Sequence, residues 1–525
     1  MSIAVGRQLG VVAVVVACAI AAAGGCGGGS RPGRDAGGGG GTGGMAQLGE
    51  LRKAAAAAGK LIGTAVADGP LRGDPSYAAV LAREFGYVTP ENATKWGPLA
   101  PTASSYDWVA ADAIVDAAAA QAQAVKGHAL VWHQQTPSWV TATMTAGELG
   151  AALKRHIETT LAHFRGRMRA WDVVNEAIDL STASGYTESV FWQTLGPRYI
   201  EDAFRWARAA DPDVLLYYND FAIERIGPKS DATYALMRDL LAAGTPIDGI
   251  GFQSHLSIHR YPADTDLRAN IRRFAELGLR VNISELDART LLMPGSRDSR
   301  WQAQRLAFQQ VVGACVVEPG CEAITLWGFT DLHSWINDDG EPDDPLPFDR
   351  SYLPKPAYTG ILDGLGGVLP ARGDNLVSNG DFAAGSDGWS ASGGVLAVEV
   401  AADGRAGSAA CASGRTDVSH GLLQAGLLDR LSAGGPLAFT AWARLRGATS
   451  GNVVAALVIN ESAAEPRVVN VASRTAGDAG WGELTGTISL GFTATPTTID
   501  LLISGPAAGV ELCVASVELH SLSAR

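Results

Sequence analysis

"WDVVNEAID", residues 171–179, is a β-prone apolar run that ends in an amide and a carboxylate, Asn175 and Glu176, rather than in a turn residue. Burying a strand and placing an acid at its end is costly for packing alone, because an ionised group leaves water only with compensation. The same construction recurs. From about Met45 to Leu369, β-prone runs alternate with helical segments, the pattern of a parallel sheet with crossover helices. The runs are "LIGTAV" from Leu61, "YVTPEN" from Tyr87, "VKGHALVWH" from Val125, "AWDVVNE" from Ala170, "VLLYYND" from Val214, "GIGFQSH" from Gly249, "LRVNISELD" from Leu279 and "AITLWGFTD" from Ala323. Between them, Ile200, Ala203, Phe204 and Ala207 share one helical face, as do Leu267, Ile271 and Phe274. Eight such units over roughly 320 residues predict an α/β fold, a (β/α)₈ TIM barrel.

In that barrel, functional groups gather at the C-terminal ends of the strands. The predicted ends carry Glu91 and Asn92, His128 and His133, Glu176, Asn219 and Asp220, Gln253 and His255, Glu285 and Asp287, and Trp327 and Asp331. One acid at a strand end is ordinarily a helix cap or a salt-bridge partner. Polar groups at seven of the eight ends of one rim form a site. Glu176 and Glu285 are the pair that glycoside hydrolysis needs, one to protonate the departing oxygen and one to attack the anomeric carbon. Glu176 then needs a raised pKa, while Glu285 needs donors that keep it ionised. His255 is the expected donor, oriented by Asp287, and the Asn175 amide is placed to hold a sugar hydroxyl. Trp96, Trp132, Trp139, Trp327 and Trp335, with Asn92, Lys95, Gln135 and Gln253, supply the stacking surfaces and amides that a sugar receptor requires. For Trp139, following Pro137 at a helix start, packing is the alternative reading.

Composition narrows the partners. The 41 Lys+Arg against 54 Asp+Glu leave a net charge of −13, without a basic run, which argues against nucleic acid or anionic lipid. Residues 1–26 join Arg7 to an apolar stretch, Val11 to Ala23, too short to span a bilayer comfortably, and read as an export signal. Ala23, Gly24 and Gly25 before Cys26 resemble a bacterial lipoprotein box with Cys26 lipidated; Cys18 is a weaker candidate, and plain secretion with cleavage near Ala23 is the alternative. Residues 27–44, mostly glycine, form a flexible tether. The cysteines beyond the signal, Cys315, Cys321, Cys411 and Cys513, pair in sequence order as two expected disulfides; zinc is the alternative, without clustered histidines to support it.

The strings "REFGYVTPENATKW", "GHALVWHQQTPSWV", "WDVVNEAI", "YYNDF", "GIGFQSHL", "ISELD", "TLWGFTDLHSWI" and "PKPAY" resemble, in order, those of glycoside hydrolase family 10, the endo-β-1,4-xylanases. The resemblance implies a retaining hydrolase of β-1,4-xylan with Glu176 as acid/base and Glu285 as nucleophile. It also implies that Glu91, Asn92, Lys95, His128, Trp132, Gln135, Asn175, Gln253, His255, Trp327 and Trp335 line the sugar subsites, with Asp287 behind them. The Cys315/Cys321 pair matches a disulfide of many members. Ser284 stands where Thr is common, Phe221 and Ala222 replace the usual Tyr and Asn after "YYND", and Pro347 interrupts an expected Leu-Leu pair in an unusually acidic loop.

After "GLGGVLPARGD" helical periodicity gives way to short runs of Val, Leu, Ala and Thr between turns, predicting an all-β sandwich. It resembles the jelly-roll carbohydrate-binding modules fused to xylanases, although Ala515 or Ser516 stands where an acid is usual. Its aromatics are Trp389, Trp442, Trp481, Phe382, Phe439 and Phe492, of which at least half are expected in the core. The expected organisation is signal 1–26, tether 27–44, catalytic barrel 45–369 and sandwich 370–525. The expected activity is hydrolysis of internal bonds of xylan and xylo-oligosaccharides by an exported monomer, with the membrane met only through Cys26 and no cofactor or metal required. The rivals are a β-1,4-glucanase or exo-xylosidase with the same pair, and a surface glycan-binding protein without chemistry.

Overall fold

The computed structural model describes residues 48–524 apart from 338–341, 402–404 and 463–464; the expected signal with Cys26 and the tether lie outside the described residues. Ten strands precede the sandwich: β1 (Leu61–Val66), β2 (Tyr87–Pro90), β3 (Ala124–Gly127), β4 (Ala170–Asn175), β5 (Leu215–Asp220), β6 (Gly249–Phe252), β7 (His255–Ser257), β8 (Arg260–Tyr261), β9 (Arg280–Arg289) and β10 (Cys321–Leu326). Eight pair in parallel, β1 to β6 in turn, then β9 and β10, and β10 returns to β1, closing the barrel. Each quoted run supplies one barrel strand. The third does so only as far as Gly127, after which residues 128–133 leave the sheet and touch β4 through a single bridge at Val131 and Val174.

The outer helices seat as their periodicity demands. Arg198–Ala210 buries Tyr199, Ile200, Ala203, Phe204 and Ala207, and Asp264–Glu276 buries Leu267, Ile271 and Phe274. Ala146–Phe164 begins at a capping box in which Thr145 and Glu148 satisfy each other's backbone N–H groups. Trp171, from the opening stretch, is fully buried opposite Gly127. A Cβ at Gly127 would lie 2.2 Å from the Trp171 ring, so glycine is what lets β3 pass this indole.

Two tryptophans expected at the cleft are elsewhere. Trp96 is buried, stacked on His156 at 4.5 Å and on Phe191 at 6.1 Å. Trp139 meets the Trp96 ring edge-on and donates its indole N–H to the Ala100 carbonyl. Both close the core between the outer helices and the strand-end loops, because an indole next to this aromatic cluster gains more from packing than from facing water.

The remaining strands are β11 (Ala371–Asn375), β12 (Ser390–Ser392), β13 (Val395–Val400), β14 (Ser408–Ser413), β15 (Gly421–Gln424), β16 (Gly435–Arg446), β17 (Gly451–Glu461), β18 (Arg467–Ala476), β19 (Gly482–Leu490), β20 (Pro496–Ser504) and β21 (Glu511–Ser523). Antiparallel pairing orders them as β13-β14-β21-β16-β19, with β11 on β21, facing β12-β15-β20-β17-β18. Phe382, Trp389 and Phe439 are buried in the core between the sheets. Both cysteine pairs are disulfides, one from the helix Arg297–Val317 to β10 and one between opposed residues of β14 and β21. Sulfur so bonded is not a thiolate, which removes the zinc reading.

Barrel and sandwich have separate large cores but are stitched together. β8 pairs with β19, Tyr261 opposite Thr487 and Arg260 opposite Ile488. Leu306 of the helix Arg297–Val317 forms a small apolar cluster with Ala438 and Leu522, and Gln310 donates to both the Pro262 carbonyl and the Thr487 hydroxyl. The barrel therefore meets the β16 sheet at its β19 edge and around Ala438 and Leu522.

Candidate active site

The strand ends open into a cleft of about 600 Å³ lined by Glu91, Asn92, Lys95, His128, Trp132, Gln135, Asn175, Glu176, His255, Glu285, Trp327 and Trp335, with Gln134, Phe221, Ala222 and Glu224 added. Glu176 follows β4 immediately and takes a left-handed backbone conformation, φ +58°, with its N–H donating to the Asn219 carbonyl. A non-glycine residue held there is strained, and such strain persists where the surroundings over-determine it. The turn directs the carboxyl out of the sheet instead of letting β4 continue.

The two glutamates keep different company. Glu176, 8% exposed, accepts from the Trp132 indole at 2.8 Å and from the Gln253 amide at 2.9 Å, both neutral donors. Glu285, 4% exposed, accepts from Asn219 Nδ2 at 2.6 Å and faces His255 Nε2 at 3.2 Å. The other ring nitrogen of His255 faces Asp287 Oδ2 at 2.9 Å. With a carboxylate at each nitrogen, both must donate, so the ring is an imidazolium. Burial opposes that charge, but attraction to Asp287 and Glu285 outweighs it and raises the pKa to about 10. Burial likewise pushes Glu285 up, yet His128, His255 and Asn219 together hold it at about 2, ionised throughout the neutral range.

A hydrogen-bonded chain ties the pair together. Asn175 Oδ1 accepts from Asn219 Nδ2 at 2.8 Å and from Gln253 Nε2 at 3.2 Å, and those same two amides hold Glu285 and Glu176. With its oxygen doubly engaged, Asn175 has only its amide N–H groups left for a ligand in the cleft. Gln253, expected on the sugar-facing wall, lies beneath Glu176 at 2% exposure and outside the lining.

On one wall Asn92 Oδ1 accepts from Lys95 at 2.9 Å and Gln135 at 3.0 Å, while its amide donates to Glu91. The Lys95 ammonium sits 4.5 Å from the Trp132 ring centre. Trp327 packs edge-on against His128 and His255, and Trp335 donates its indole N–H to the Asp287 oxygen that holds His255. His128 is itself fixed by Asp172, which also pairs with Lys126.

Asn219, Gln253 and Asp287 support the cleft from behind, and three further strand-end groups neither line it nor hydrogen-bond to the residues that hold the glutamate carboxyls. Asp220 pairs with Lys229 at 2.7 Å and Asp331 with Lys355 at 2.7 Å, both buried, and His133 lies outside the lining. Sequence reasoning named Asn219 as a strand end without assigning it to the site, although it stands in the quoted "YYNDF"; it passed over Gln134 and Glu224, which carry no such signal.

A closed parallel barrel offering two unlike carboxyl groups in a cleft walled by indoles and amides defines a barrel glycosidase. Residues 50–364 match the model of Glycosyl hydrolase family 10, and residues 374–509 that of a Carbohydrate binding domain. The chain is 40% identical over 292 residues to endo-1,4-beta-xylanase B of Thermotoga neapolitana, covering 55% of this chain and 82% of that one. It is 42% identical over 320 residues to endo-1,4-beta-xylanase D of Talaromyces funiculosus, covering 60% and 77%. The crystal structure of xylanase 10B from Thermotoga petrophila RKU-1 in complex with xylobiose is similar with a TM-score of 0.58 at 40% identity, over 62% of this chain and 99% of that one. The chain belongs to glycoside hydrolase family 10.

Proposed function

We propose that this protein hydrolyses internal β-1,4-xylosidic bonds of xylan with retention of configuration, Glu176 serving as acid/base and Glu285 as nucleophile. Glu176 gives its proton to the departing sugar oxygen while Glu285 attacks the anomeric carbon, forming a glycosyl-enzyme. Glu176 then takes a proton from water, which displaces Glu285. Asn175 meets the hydroxyl beside the reacting carbon through its free N–H groups. The wall formed by Glu91, Asn92, Lys95 and Gln135, with Trp132, Trp327 and Trp335, holds the sugars by hydrogen bonding and stacking. The observation that carries the reading is the unequal company of the glutamates: an imidazolium and an amide keep Glu285 charged, whereas Glu176 meets only the neutral Trp132 indole and Gln253 amide.

The test is Glu176→Ala on two substrates. Hydrolysis of xylan, whose leaving group needs protonation, falls by roughly 10²- to 10⁴-fold. An aryl xylobioside with a good leaving group still shows a burst of glycosyl-enzyme, which azide releases faster. Equal inactivity on both substrates, with no burst, would refute the assignment.

The same reading takes 45–369 as the catalytic unit and 370–525 as a sugar-binding module. In support of the second, the β16 sheet carries, away from its contact with the barrel, the half-buried Trp442 with Arg405 4.3 Å from its ring, and Trp481 beside Ala515. Residues 1–26 direct export, with Cys26 lipidated and 27–44 as the tether; Cys26→Ala then releases the protein into the medium.

A further inference from the structure

A proton donor works only while its carboxyl is aimed at the departing oxygen, and the turn that aims Glu176 is the left-handed one at φ +58°. Three hydrogen bonds hold the peptide groups of that turn. The Glu176 N–H donates to the Asn219 carbonyl at 2.9 Å, the Thr187 hydroxyl donates to the Glu176 carbonyl at 2.7 Å, and the Ala177 N–H donates to the Tyr218 hydroxyl at 3.1 Å. The third leads on to charged groups. The Tyr218 hydroxyl donates in its turn to Asp220 Oδ2 at 2.5 Å, which leaves its lone pairs for Ala177. The other oxygen of Asp220 accepts from Lys229 Nζ at 2.7 Å and from the Phe221 N–H at 2.9 Å. Ala177, Tyr218 and Asp220 are fully buried, and Lys229 alone reaches the surface. Packing does not account for this arrangement. Burial pushes the Asp220 carboxyl up to about 6 even against the Lys229 ammonium and the Tyr218 hydroxyl, and apolar side chains of similar size would fill the same space without desolvating an ion pair.

We infer that Lys229, Asp220 and Tyr218 are positioning residues for the proton donor: the ammonium fixes the carboxylate, the carboxylate fixes the hydroxyl, and the hydroxyl holds the Ala177 N–H so that Glu176 keeps its left-handed turn. The inference rests on the reading of Glu176 as acid/base. None of the three lines the cleft, so they act through Glu176 and not on the sugar. Their effect is therefore confined to steps in which Glu176 gives or takes a proton, and the attack by Glu285 is untouched.

The test is Tyr218→Phe, which removes one hydroxyl and keeps the ring, measured on aryl xylobiosides of graded leaving-group pKa. For the best leaving group, which departs without a proton, kcat/KM stays within about 2-fold of native, whereas for the poorest it falls by about 10-fold, roughly the worth of one buried hydrogen bond. The dependence of kcat/KM on leaving-group pKa thus steepens. On xylo-oligosaccharides the loss appears in kcat with KM unchanged, because the sugar-binding wall is intact. Asp220→Asn, which keeps an acceptor for Tyr218 but loses the charge facing Lys229, shifts the slope less in the same direction and takes over the test if Tyr218→Phe does not fold. A uniform loss across the leaving groups, or an unchanged slope, in whichever variant folds overturns the inference. Glu176→Ala, measured alongside, has the steepest slope of all; if its slope equals the native one, the acid/base reading itself is overturned.

Discussion

The barrel rim and the outer face of the sandwich both present tryptophans beside charged groups, but they differ in what holds them. On the rim nearly every functional side chain is fixed by a partner from another segment of the chain: Glu285 by Asn219 and His255, His255 by Asp287, Asp287 by the Trp335 indole, Glu176 by Trp132 and Gln253. On the sandwich, Phe382, Trp389 and Phe439 are in the core, Ala438 and Leu522 meet Leu306 of the barrel, and Trp442 is left with Arg405 at its ring. Residue types alone do not make a site. Convergent strand ends do, because they bring groups distant in sequence to hydrogen-bonding range and lock them before substrate arrives.

The sharpest way to break that contrast is Glu285→Ala. Loss of the nucleophile should cost on the order of 10⁵- to 10⁶-fold in kcat, with no burst on an aryl xylobioside. NMR of the first product should show the β-anomer from native protein; an α-anomer appearing first would mean direct displacement by water.

Next in size is the support of Glu285. His255→Gln removes the imidazolium, so the Glu285 pKa should rise from about 2 and the acid limb of kcat/KM should move up by about one pH unit, the equivalent of one charge-assisted hydrogen bond. The linkage signs are opposite for the two partners. Glu285, depressed when folded, stabilises the fold above its ordinary value near 4.5, and that contribution disappears as pH falls toward 2. His255, raised when folded, contributes fully below its ordinary 6.5, and that contribution disappears as pH climbs toward 10. Denaturation curves of native protein and His255→Gln should therefore converge at both extremes of pH; a constant gap from pH 2 to 10 contradicts the ion-paired geometry.

A smaller effect is expected at the domain boundary. Deleting residues 370–525 uncovers Leu306 and unpairs β8, which should cost about 1.5–3 kcal/mol for the leucine and lower the melting temperature by several degrees. Turnover of soluble oligosaccharides should change little, since the cleft lies in the barrel. An unchanged melting temperature would mean that the stitching contributes nothing.

The smallest effect is Trp442→Ala. If the uncovered sandwich face binds sugar, activity on insoluble xylan falls several-fold through lost local concentration, while soluble substrates are unaffected. Equal activity on both assigns the module to a spacer.

Much of this was legible beforehand. The eight strands stand where the β-prone runs do, and the helices bury the faces their periodicity marks, because both depend on neighbours close in sequence. The aromatic count was less informative. Trp96 and Trp132 both look like receptor residues, yet one closes the core and the other donates to Glu176.

What the sequence determined by itself is the barrel, its seven polar-tipped strand ends and the identity of the two glutamates, all properties of periodicity and of the order of local motifs. Tertiary structure alone decided that Asn219 and Gln253 join those glutamates through Asn175 and that β8 receives β19. Each of these depends on distances between segments tens to hundreds of residues apart, and those are set only when the barrel closes and the sandwich docks against it.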